Sequence, residues 1–454
     1  MKRIIRSLKT VNYRLWLALL LLLMLPTIYQ TVRIFFLGNM PSDWGLNIAS
    51  QLQWLGLFYE VIQEAMILPL FFLMGKSLGS REELSNKVRT GLLVSGLIYG
   101  ILSFLIIIFA SPLVKFMAQD VTLLEATVTY IRLETIASLF ATLVKFVLIV
   151  FMTIKKDKVM YILLGVQMLL SIIFDTFFIS NLSFSLNIGV NGIAFTNIIV
   201  NLVMLIVGLV ILHKLDIHVF CWKKLNFSWM KEWFSVGKWS GLESFLRNFA
   251  FMVMILRMMN IVSEQGNYWI ANNFIWGWLL IPGLALADLI KQETAASVDN
   301  IRTKTFGYLT LTTIFTIVWL LSIPLWKPFL RYVMNVQDYE TVFYIVLIQT
   351  GFYLTFLYNN CIFDATFYGR GKTGYMLIQS ICIDVFYFGV MFILFLTGIF
   401  VPTVVSVSIM FGIGMVLDFI PTMILYVVLL KRENIKVDFK LETATTNIME
   451  EVSV

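Results

Sequence analysis

Long apolar runs separated by short polar segments alternate along almost the whole chain. Most runs reach the roughly 20 residues that an α-helix needs to cross a bilayer. The first run, residues 15–37, is too long for the core of a signal peptide, and no small-residue cleavage site follows it. The pattern therefore predicts an all-α polytopic membrane protein. Its twelve transmembrane helices are expected at 15–37, 47–74, 89–110, 124–152, 159–180, 190–212, 239–262, 268–290, 305–326, 341–367, 374–399 and 403–430.

The charge distribution predicts how these helices are oriented. Hydrophobic residues make up 59% of the chain and charged residues only 13%, against about 25% charged in a soluble domain. Of the 34 lysines and arginines, 26 fall on the side of the two termini, three on the opposite side and five within spans. This bias predicts a multi-pass protein of the plasma (inner) membrane with both termini in the cytoplasm. Because the basic residues sit in alternate loops, the net charge of +7 does not indicate a nucleic-acid partner.

A short repeat indicates that the chain is built from two similar halves. An Ile-Ala pair followed by Trp54 returns 222 residues later before Trp276. Six helices in each half let both halves enter the membrane from the same side, so the two lobes are parallel repeats with a substrate site between them. The predicted organisation is an N-terminal six-helix lobe at 1–212, a basic cytoplasmic linker at 213–238, a C-terminal six-helix lobe at 239–432 and a disordered cytoplasmic tail at 433–454.

Two aspartates within apolar spans are candidate ion-coupling residues. The stretch around Asp175, S-I-I-F-D-T-F-F-I, is echoed 209 residues later around Asp384 as S-I-C-I-D-V-F-Y-F. An ionised carboxylate at this depth is costly unless it is solvated or paired, so such residues mark functional sites. The echo predicts one carboxylate in each lobe that binds a proton or sodium.

Other acids within the spans extend this candidate site. Glu60 and Glu64 lie four residues apart and share one face of the second span. The C-terminal half contributes Glu243 and Asp418, and its spans hold more acids than bases. This surplus favours a cation or proton site in the C-terminal lobe. Asp418 is deep enough that a proton- or sodium-binding role is favoured for it as well.

Some of these charges have a simpler explanation. Glu243 and Arg247 are four residues apart, so a structural ion pair explains them as well as an ion-coupling role does. Asp288 and Asp364 lie near the cytoplasmic ends of their spans, where facing water is the favoured interpretation.

Basic and aromatic residues within the spans are candidates for binding a substrate. Arg33 and Arg257 lie at similar depth in the first helix of each half. They either neutralise nearby carboxylates or line the cavity and hold an anionic group. Trp54, Trp276 and Tyr353 are candidates for contacts with aromatic or cationic ligands.

The sequence gives no indication of an enzyme. The Gly-Lys-Thr run ending at Thr373 resembles the end of a phosphate-binding loop, but Thr366 replaces the required upstream glycine and the run lies between spans. His213 and His218 lack the further ligands of a zinc site. We therefore expect no catalysis and no cofactor, with transport driven by a proton or sodium gradient or running passively.

Four motifs together resemble one transporter family. The run F-D-T-F-F-I at 174–179 is followed by G-V-N-G-I-A-F-T at 189–196, G-L-E-S stands at 241–244, and G-R-G-K-T stands at 369–373. These motifs resemble those of multidrug and toxic compound extrusion (MATE) transporters, and the resemblance extends over about 15–430. The first two motifs resemble the junction of helices five and six, the third resembles the start of helix seven, and the fourth resembles the loop after helix ten. That family is part of the multidrug/oligosaccharidyl-lipid/polysaccharide flippase superfamily.

The resemblance implies twelve helices in two lobes and antiport of sodium or protons against organic, often cationic, compounds. Carried over by position, Asp175 and Thr196 would belong to an ion site in the N-terminal lobe and Glu243 to one in the C-terminal lobe, with sodium possible at Asp175 or Glu243. Asn359 is the nearest match to the acid of helix ten and is a further candidate for contact with substrate. Arg33 stands where the family has an aspartate, so its guanidinium could act as a built-in cation.

Two functions follow from these observations. The leading hypothesis is a secondary active transporter that exports small organic compounds, cationic ones among them, by proton- or sodium-coupled antiport with alternating access. The alternative is a flippase of a lipid-linked saccharide or another anionic lipid, with Arg33 and Arg257 on the anionic group. A cavity lined by arginines favours an anion, and one lined by acids and aromatics favours a cation. The expected partners are a small organic substrate and membrane lipid, and we expect a monomer.

Overall fold

The computed structural model describes residues 2–40, 44–220 and 225–437, where the regular structure is helical throughout. Within that part, ten helices are each long and apolar enough to cross a membrane, and a bent pair makes eleven. The predicted span 47–74 is present as an interrupted helical segment. We number the helices α1 (Tyr13–Leu37), α2 (44–75), α3 (Arg81–Phe116), α4 (Leu124–Thr153), α5 (Asp157–Ile179), α6 (Asn191–Lys214), α7 (Met230–Ile261), α8 (Gln265–Leu279 and Ile281–Ala296), α9 (Asp299–Val333), α10 (Tyr339–Gly369), α11 (Thr373–Leu396) and α12 (Val404–Arg432).

The predicted all-α fold is confirmed, and each predicted span coincides with one of these helices. Polar residues set several of the starting points. Ser80 caps α3 by accepting from the Glu83 amide, and Thr403 and Ser406 form a reciprocal capping box at the start of α12. Between α10 and α11 the chain reverses at Gly371, whose φ of 66° lies in the region that only glycine adopts readily.

The two halves repeat the same packing. In the first half α1 packs on α5, α3 on α4, and both α4 and α5 on α6. In the second half α7 packs on α11, α9 on α10, and both α10 and α11 on α12. The halves meet at three contacts: α1 packs on α8, α2 on α7, and α2 on α8. The repeat that relates the two halves exchanges the first two of these contacts. This is a two-lobe bundle with a seam formed by the first two helices of each half.

The contact between α2 and α7 is unusually close. A Cβ atom added to Gly237 would lie 1.7 Å from the carbonyl oxygen of Ala65, and one added to Gly241 would lie 2.6 Å from the Ala65 Cβ. On the same helix, the indole of Trp233 is fully buried and donates to the Met66 carbonyl at 2.7 Å. Small residues spaced four apart let two helix backbones approach in this way.

At the opposite end of the seam, amide side chains connect the lobes. Gln51 on α2 donates to Asn260 on α7 at 2.7 Å, and the Asn260 amide donates back to Gln51 at 3.1 Å. Gln265 on α8 donates to Gln53 at 3.2 Å. The lobes are therefore in contact at both ends of the seam.

Several helices include a wider, π-helical turn. In the described part of the chain these turns occupy Gln63–Ile67, Met252–Leu256, Ile275–Leu279, Phe329–Val333, Asn359–Asp364 and Ile381–Phe388. Such turns are rare and are found preferentially at functional sites.

Two predicted boundaries need correction. The linker predicted at 213–238 is shorter, because α6 continues to Lys214 and α7 already begins at Met230. The tail predicted to be disordered from 433 begins with an ordered contact, since Glu433 pairs with Arg370 at 3.0 Å. The rest of that prediction, from residue 438 onward, lies outside the described residues.

Candidate functional site

A cavity of about 1200 Å³ lies between the two lobes. Its wall is formed by α1, α2 and α4 of the first lobe and by α7, α8, α10, α11 and α12 of the second. Acidic residues outnumber basic ones in the wall, so it carries a negative surplus when all are ionised. The acids are Glu60, Glu64, Glu243, Asp364, Asp384 and Asp418, and the bases are Lys145, Arg247 and Lys291.

Aromatic side chains supply much of the remaining wall. The Trp276 indole donates to the Tyr353 hydroxyl at 3.0 Å, and the Phe356 ring packs against Trp276 at 5.2 Å between centroids. Trp276 is 41% exposed although it lies within the protein, because it faces the cavity. Trp276 and Tyr353, both predicted to bind substrate, line the cavity, and their contact with a ligand stays a prediction. The other aromatic lining residues are Tyr29, Tyr59, Phe251, Trp269, Tyr368, Phe388 and Phe411.

One arginine connects the two lobes inside the cavity. Arg247 on α7 donates to Glu60 at 3.3 Å and to Glu64 at 3.0 Å, both on α2. It also pairs with Glu243 on its own helix at 3.1 Å, the i, i+4 contact of the structural alternative for these two residues. Glu60 and Glu64 share one helix face, as predicted, and that face is turned toward the other lobe.

The second lobe holds three acids that lack a basic partner. Asp418 accepts from the Asn359 amide at 2.7 Å, and Asp364 accepts from the Gln379 amide at 3.0 Å. The Oδ2 atom of Asp384 is buried without a hydrogen-bond partner. None of the ion pairs found among the described residues includes any of the three. The partners of Asp418 and Asp364 are amides, and no cation of the described residues pairs with any of the three, so each can be neutral or charged without breaking an ion pair.

Asp364 and Asp288 differ in their exposure to solvent, although the sequence favoured the same environment for both. The interpretation that both face water is wrong for Asp364, which is only 4% exposed because it lies in the π-helical turn of α10 at the cavity wall. Asp288 behaves as expected, half-exposed and paired with Lys291 at 3.0 Å.

The first lobe carries a separate buried network away from the cavity. Arg33 on α1 donates to both oxygens of Asp175 on α5, at 2.8 and 3.2 Å. It also donates to Asn197 on α6 at 2.9 Å, and the Asn197 amide donates to Glu134 on α4 at 2.9 and 3.1 Å. Four helices of the lobe are thereby connected through one guanidinium.

This network changes the interpretation of Asp175 and Thr196. Asp175 is fully buried and lies outside the cavity, and both of its oxygens are bound by Arg33. The hydroxyl of Thr196 is buried without a hydrogen-bond partner, also outside the cavity. Sodium does not fit at Asp175, because the guanidinium already holds the position that the ion would take.

Sodium at Glu243 is also disfavoured, because Glu243 is already paired with the guanidinium of Arg247 at 3.1 Å and its Oε1 atom accepts from the Ser380 hydroxyl at 3.1 Å. In the described residues, no group of three or more His, Cys, Asp or Glu side chains is placed to hold a metal ion.

Four residues predicted to bind substrate do not line the cavity. Arg33 is occupied by Asp175, and the Arg257 guanidinium turns toward the end of α3, where it donates to the Phe116 carbonyl at 2.7 Å. Trp54 is fully buried and donates to Gln51 at 2.9 Å. Asn359 is buried behind Asp418, whose carboxylate it holds toward the cavity.

The echo between Asp175 and Asp384 does not place the two aspartates at equivalent positions. Asp157 and Thr373, the first residues of α5 and α11, are 216 positions apart, whereas the aspartates are 209 apart. Asp384 therefore lies about two helical turns nearer the start of its helix. One aspartate is sealed in a lobe and the other faces the cavity.

Some residues of the site were not singled out from the sequence. Lys145 on α4 reaches the cavity and donates to Gln63 at 2.7 Å. Asn197 and Gln379 hold the carboxylates of Glu134 and Asp364, respectively. Amides within apolar helices are the signal that could have identified them, since buried amides need partners.

Two six-helix lobes around a polar cavity define the class of the protein as a multi-pass membrane protein with the architecture of a transporter. Residues 18–177 match the family model MatE, and no curated protein matches the chain.

Solved structures extend the likeness to the whole chain. An inward-facing multidrug resistance MATE family transporter of the MOP superfamily superposes with a TM-score of 0.71 at 15% identity, covering 89% of this chain and 95% of that one. A mutant of the Vibrio cholerae MATE transporter VcmN gives 0.69 at 14%, covering 96% and 99%. A MOP superfamily transporter from Pyrococcus furiosus, described by the reverse polarity of its binding pocket, gives 0.67 at 15%, covering 95% and 98%.

These matches confirm the predicted resemblance: the chain has the MATE transporter fold, with a MatE match in its first lobe. The solved structures that the chain resembles are described as transporters.

Proposed function

We propose that the protein is a secondary active transporter that exports small organic cations in exchange for protons. The observation that carries this proposal is the composition of the interlobe cavity, where six acids face three bases among aromatic rings. A cavity whose wall has a surplus of one sign of charge concentrates ligands of the opposite sign. Aromatic faces such as those of Trp276 and Tyr353 add attraction for a cation and bury its apolar part.

The three acids without basic partners are the proposed proton carriers. Asp364, Asp384 and Asp418 all line the cavity in the second lobe. A proton can neutralise such a carboxylate in place, whereas sodium needs several oxygen ligands converging on one point. Binding of an organic cation nearby would favour the charged carboxylate and release the proton, which couples the two flows.

The alternative of an anionic-lipid flippase loses its main support. That hypothesis places Arg33 and Arg257 on the anionic group, but both guanidinium groups lie outside the cavity. The one arginine among the lining residues, Arg247, is itself surrounded by three carboxylates.

The test is uptake of ethidium into everted membrane vesicles with an imposed gradient, acidic inside. We expect uptake with the proton gradient and little with a sodium gradient of equal size. Asp384→Asn and Asp418→Asn should each abolish most of the gradient-driven uptake. Asp288→Asn is the matched control, because Asp288 is a salt-bridged aspartate beside, but not in, the cavity wall.

Uptake that responds only to sodium would refute the proton coupling. Absence of uptake under either gradient, with normally folded protein, would refute cation export and turn attention to lipid substrates.

A further inference from the structure

Arg247 occupies the cavity as a bound organic cation would. Its guanidinium is planar, carries one positive charge and donates to three carboxylates, Glu60, Glu64 and Glu243. It is the one arginine among the described residues that line the cavity. The contacts come from both lobes, so the cluster already has the geometry of a site that recognises a cation between α2 and α7.

The cluster has unused capacity for positive charge. Three carboxylates share one guanidinium, and the buried Oε2 atom of Glu64 has no hydrogen-bond partner. Lys145, a base of the first lobe that lines the cavity, donates to Gln63 rather than to either glutamate. A negative surplus in a confined space attracts a further cation.

The geometry also allows the Arg247 guanidinium to be displaced from these carboxylates. Its side chain is 43% exposed to the cavity, whereas that of Glu64 is 14% exposed and that of Glu243 is 6%. The arginine side chain is long and flexible. Its ion pair with Glu243 on the same helix can remain when its ion pairs with α2 are broken. The partners that would be vacated are therefore those on the first lobe, Glu60 and Glu64.

We propose that Glu60 and Glu64 form the binding site for the cationic group of the substrate, and that Arg247 occupies this site until a substrate displaces it. The inference rests on the proposed export of organic cations and identifies the substrate class as aromatic monocations. The positive group replaces the guanidinium on α2, and the rings pack toward Trp276 and Tyr353 across the cavity. Displacement breaks the ion pairs between α2 and α7, so substrate binding itself loosens one contact between the lobes.

The test is the affinity of the purified protein for ethidium, measured by fluorescence anisotropy in lipid nanodiscs. Arg247→Ala removes the internal competitor and should tighten binding by at least about fivefold. Glu64→Gln should weaken binding by about tenfold. Arg257→Ala is the matched control, because this arginine of the same helix donates to a backbone carbonyl outside the cavity, and it should leave the affinity unchanged.

The outcomes separate this inference from the proposed function. Wild-type binding with an unchanged or weaker affinity in Arg247→Ala overturns the inference and leaves cation export standing. No ethidium binding by the wild type overturns both.

If Arg247→Ala does not fold, Glu243→Gln with Arg247→Gln, which removes a carboxylate together with the guanidinium, is compared with Glu243→Gln alone. Tighter binding in the double variant supports the inference, and equal or weaker binding overturns it.

Discussion

Arg33 and Asp175 form a bidentate ion pair inside the first lobe, with both carboxylate oxygens bound and both side chains almost fully buried. The guanidinium stands where an exchangeable ion would otherwise neutralise the aspartate. Because this cation is part of the chain, the negative charge of Asp175 is already neutralised and is not available to bind a transported ion. The pair holds α1 against α5, and we expect it to act on stability rather than on coupling.

Breaking the pair from one side should destabilise the protein strongly. Asp175→Asn leaves a buried guanidinium without its counter-charge, which costs about 3–5 kcal/mol in comparable buried pairs. The double substitution Arg33→Met with Asp175→Leu removes both charges and should recover most of that loss. Thermal unfolding of the purified variants measures both effects. Equal stability of wild type and Asp175→Asn would show that the pair does not hold the lobe together.

A methyl group at Gly237 should push the lobes apart. Alanine there would place its Cβ on the Ala65 carbonyl oxygen, and small-to-large changes in a packed contact cost about 1–3 kcal/mol. Gly100→Ala on α3 is the matched control, since nothing lies within 4 Å of an added Cβ there. We expect a lower melting temperature and altered transport for Gly237→Ala only. Normal transport and stability of Gly237→Ala would contradict the close approach of α2 and α7.

Trp276 should contribute to ligand affinity, and Trp54 should contribute to stability. Trp276→Ala removes an exposed indole from the cavity wall and should weaken ethidium binding by about tenfold. Trp54→Phe alters a buried ring that donates to Gln51, so it should lower the melting temperature without changing the affinity. Binding and thermal unfolding of both variants distinguish the two roles. The reverse pattern would place the rings of the ligand at Trp54 rather than at Trp276.

The predicted orientation can be checked with two single cysteines in a background where Cys221, Cys361 and Cys382 are replaced by serine. Ser183 follows α5 and Ser228 precedes α7, and both are exposed. With the termini in the cytoplasm, a membrane-impermeant maleimide should label Ser183→Cys in intact cells. It should label Ser228→Cys only after permeabilisation. Labelling in the opposite order would reverse the topology derived from the lysines and arginines.

The sequence predicted the fold well because a bilayer imposes a simple rule on helix length and polarity. Every predicted span coincides with a helix, and the Glu243–Arg247 pair follows from spacing within one helix. Partners between helices were harder to predict. Arg33 and Asp175 are 142 residues apart, and only the packing of α1 on α5 brings them together.

The position of a residue along a span is easier to predict than the direction of its side chain. Arg33 and Arg257 occupy similar positions along matching helices. Arg33 points into its lobe toward a carboxylate, and Arg257 reaches a carbonyl at the end of α3. Sequence position gives the height of a residue along the membrane, but the rotation of each helix depends on its neighbours.

The π-helical turns explain part of this difficulty and carry a mechanical consequence. Each inserts about one residue beyond the regular α-helical spacing, which rotates everything after it by about 100°. Asp364 closes one such turn and Asp384 lies within another, so a periodicity of 3.6 assigns the wrong faces around them. A wide turn can also tighten into ordinary α-helix without unfolding. We therefore expect that such a change in α10 or α11 would turn the carboxylates of Asp364 and Asp384 relative to the cavity while the lobes keep their outlines.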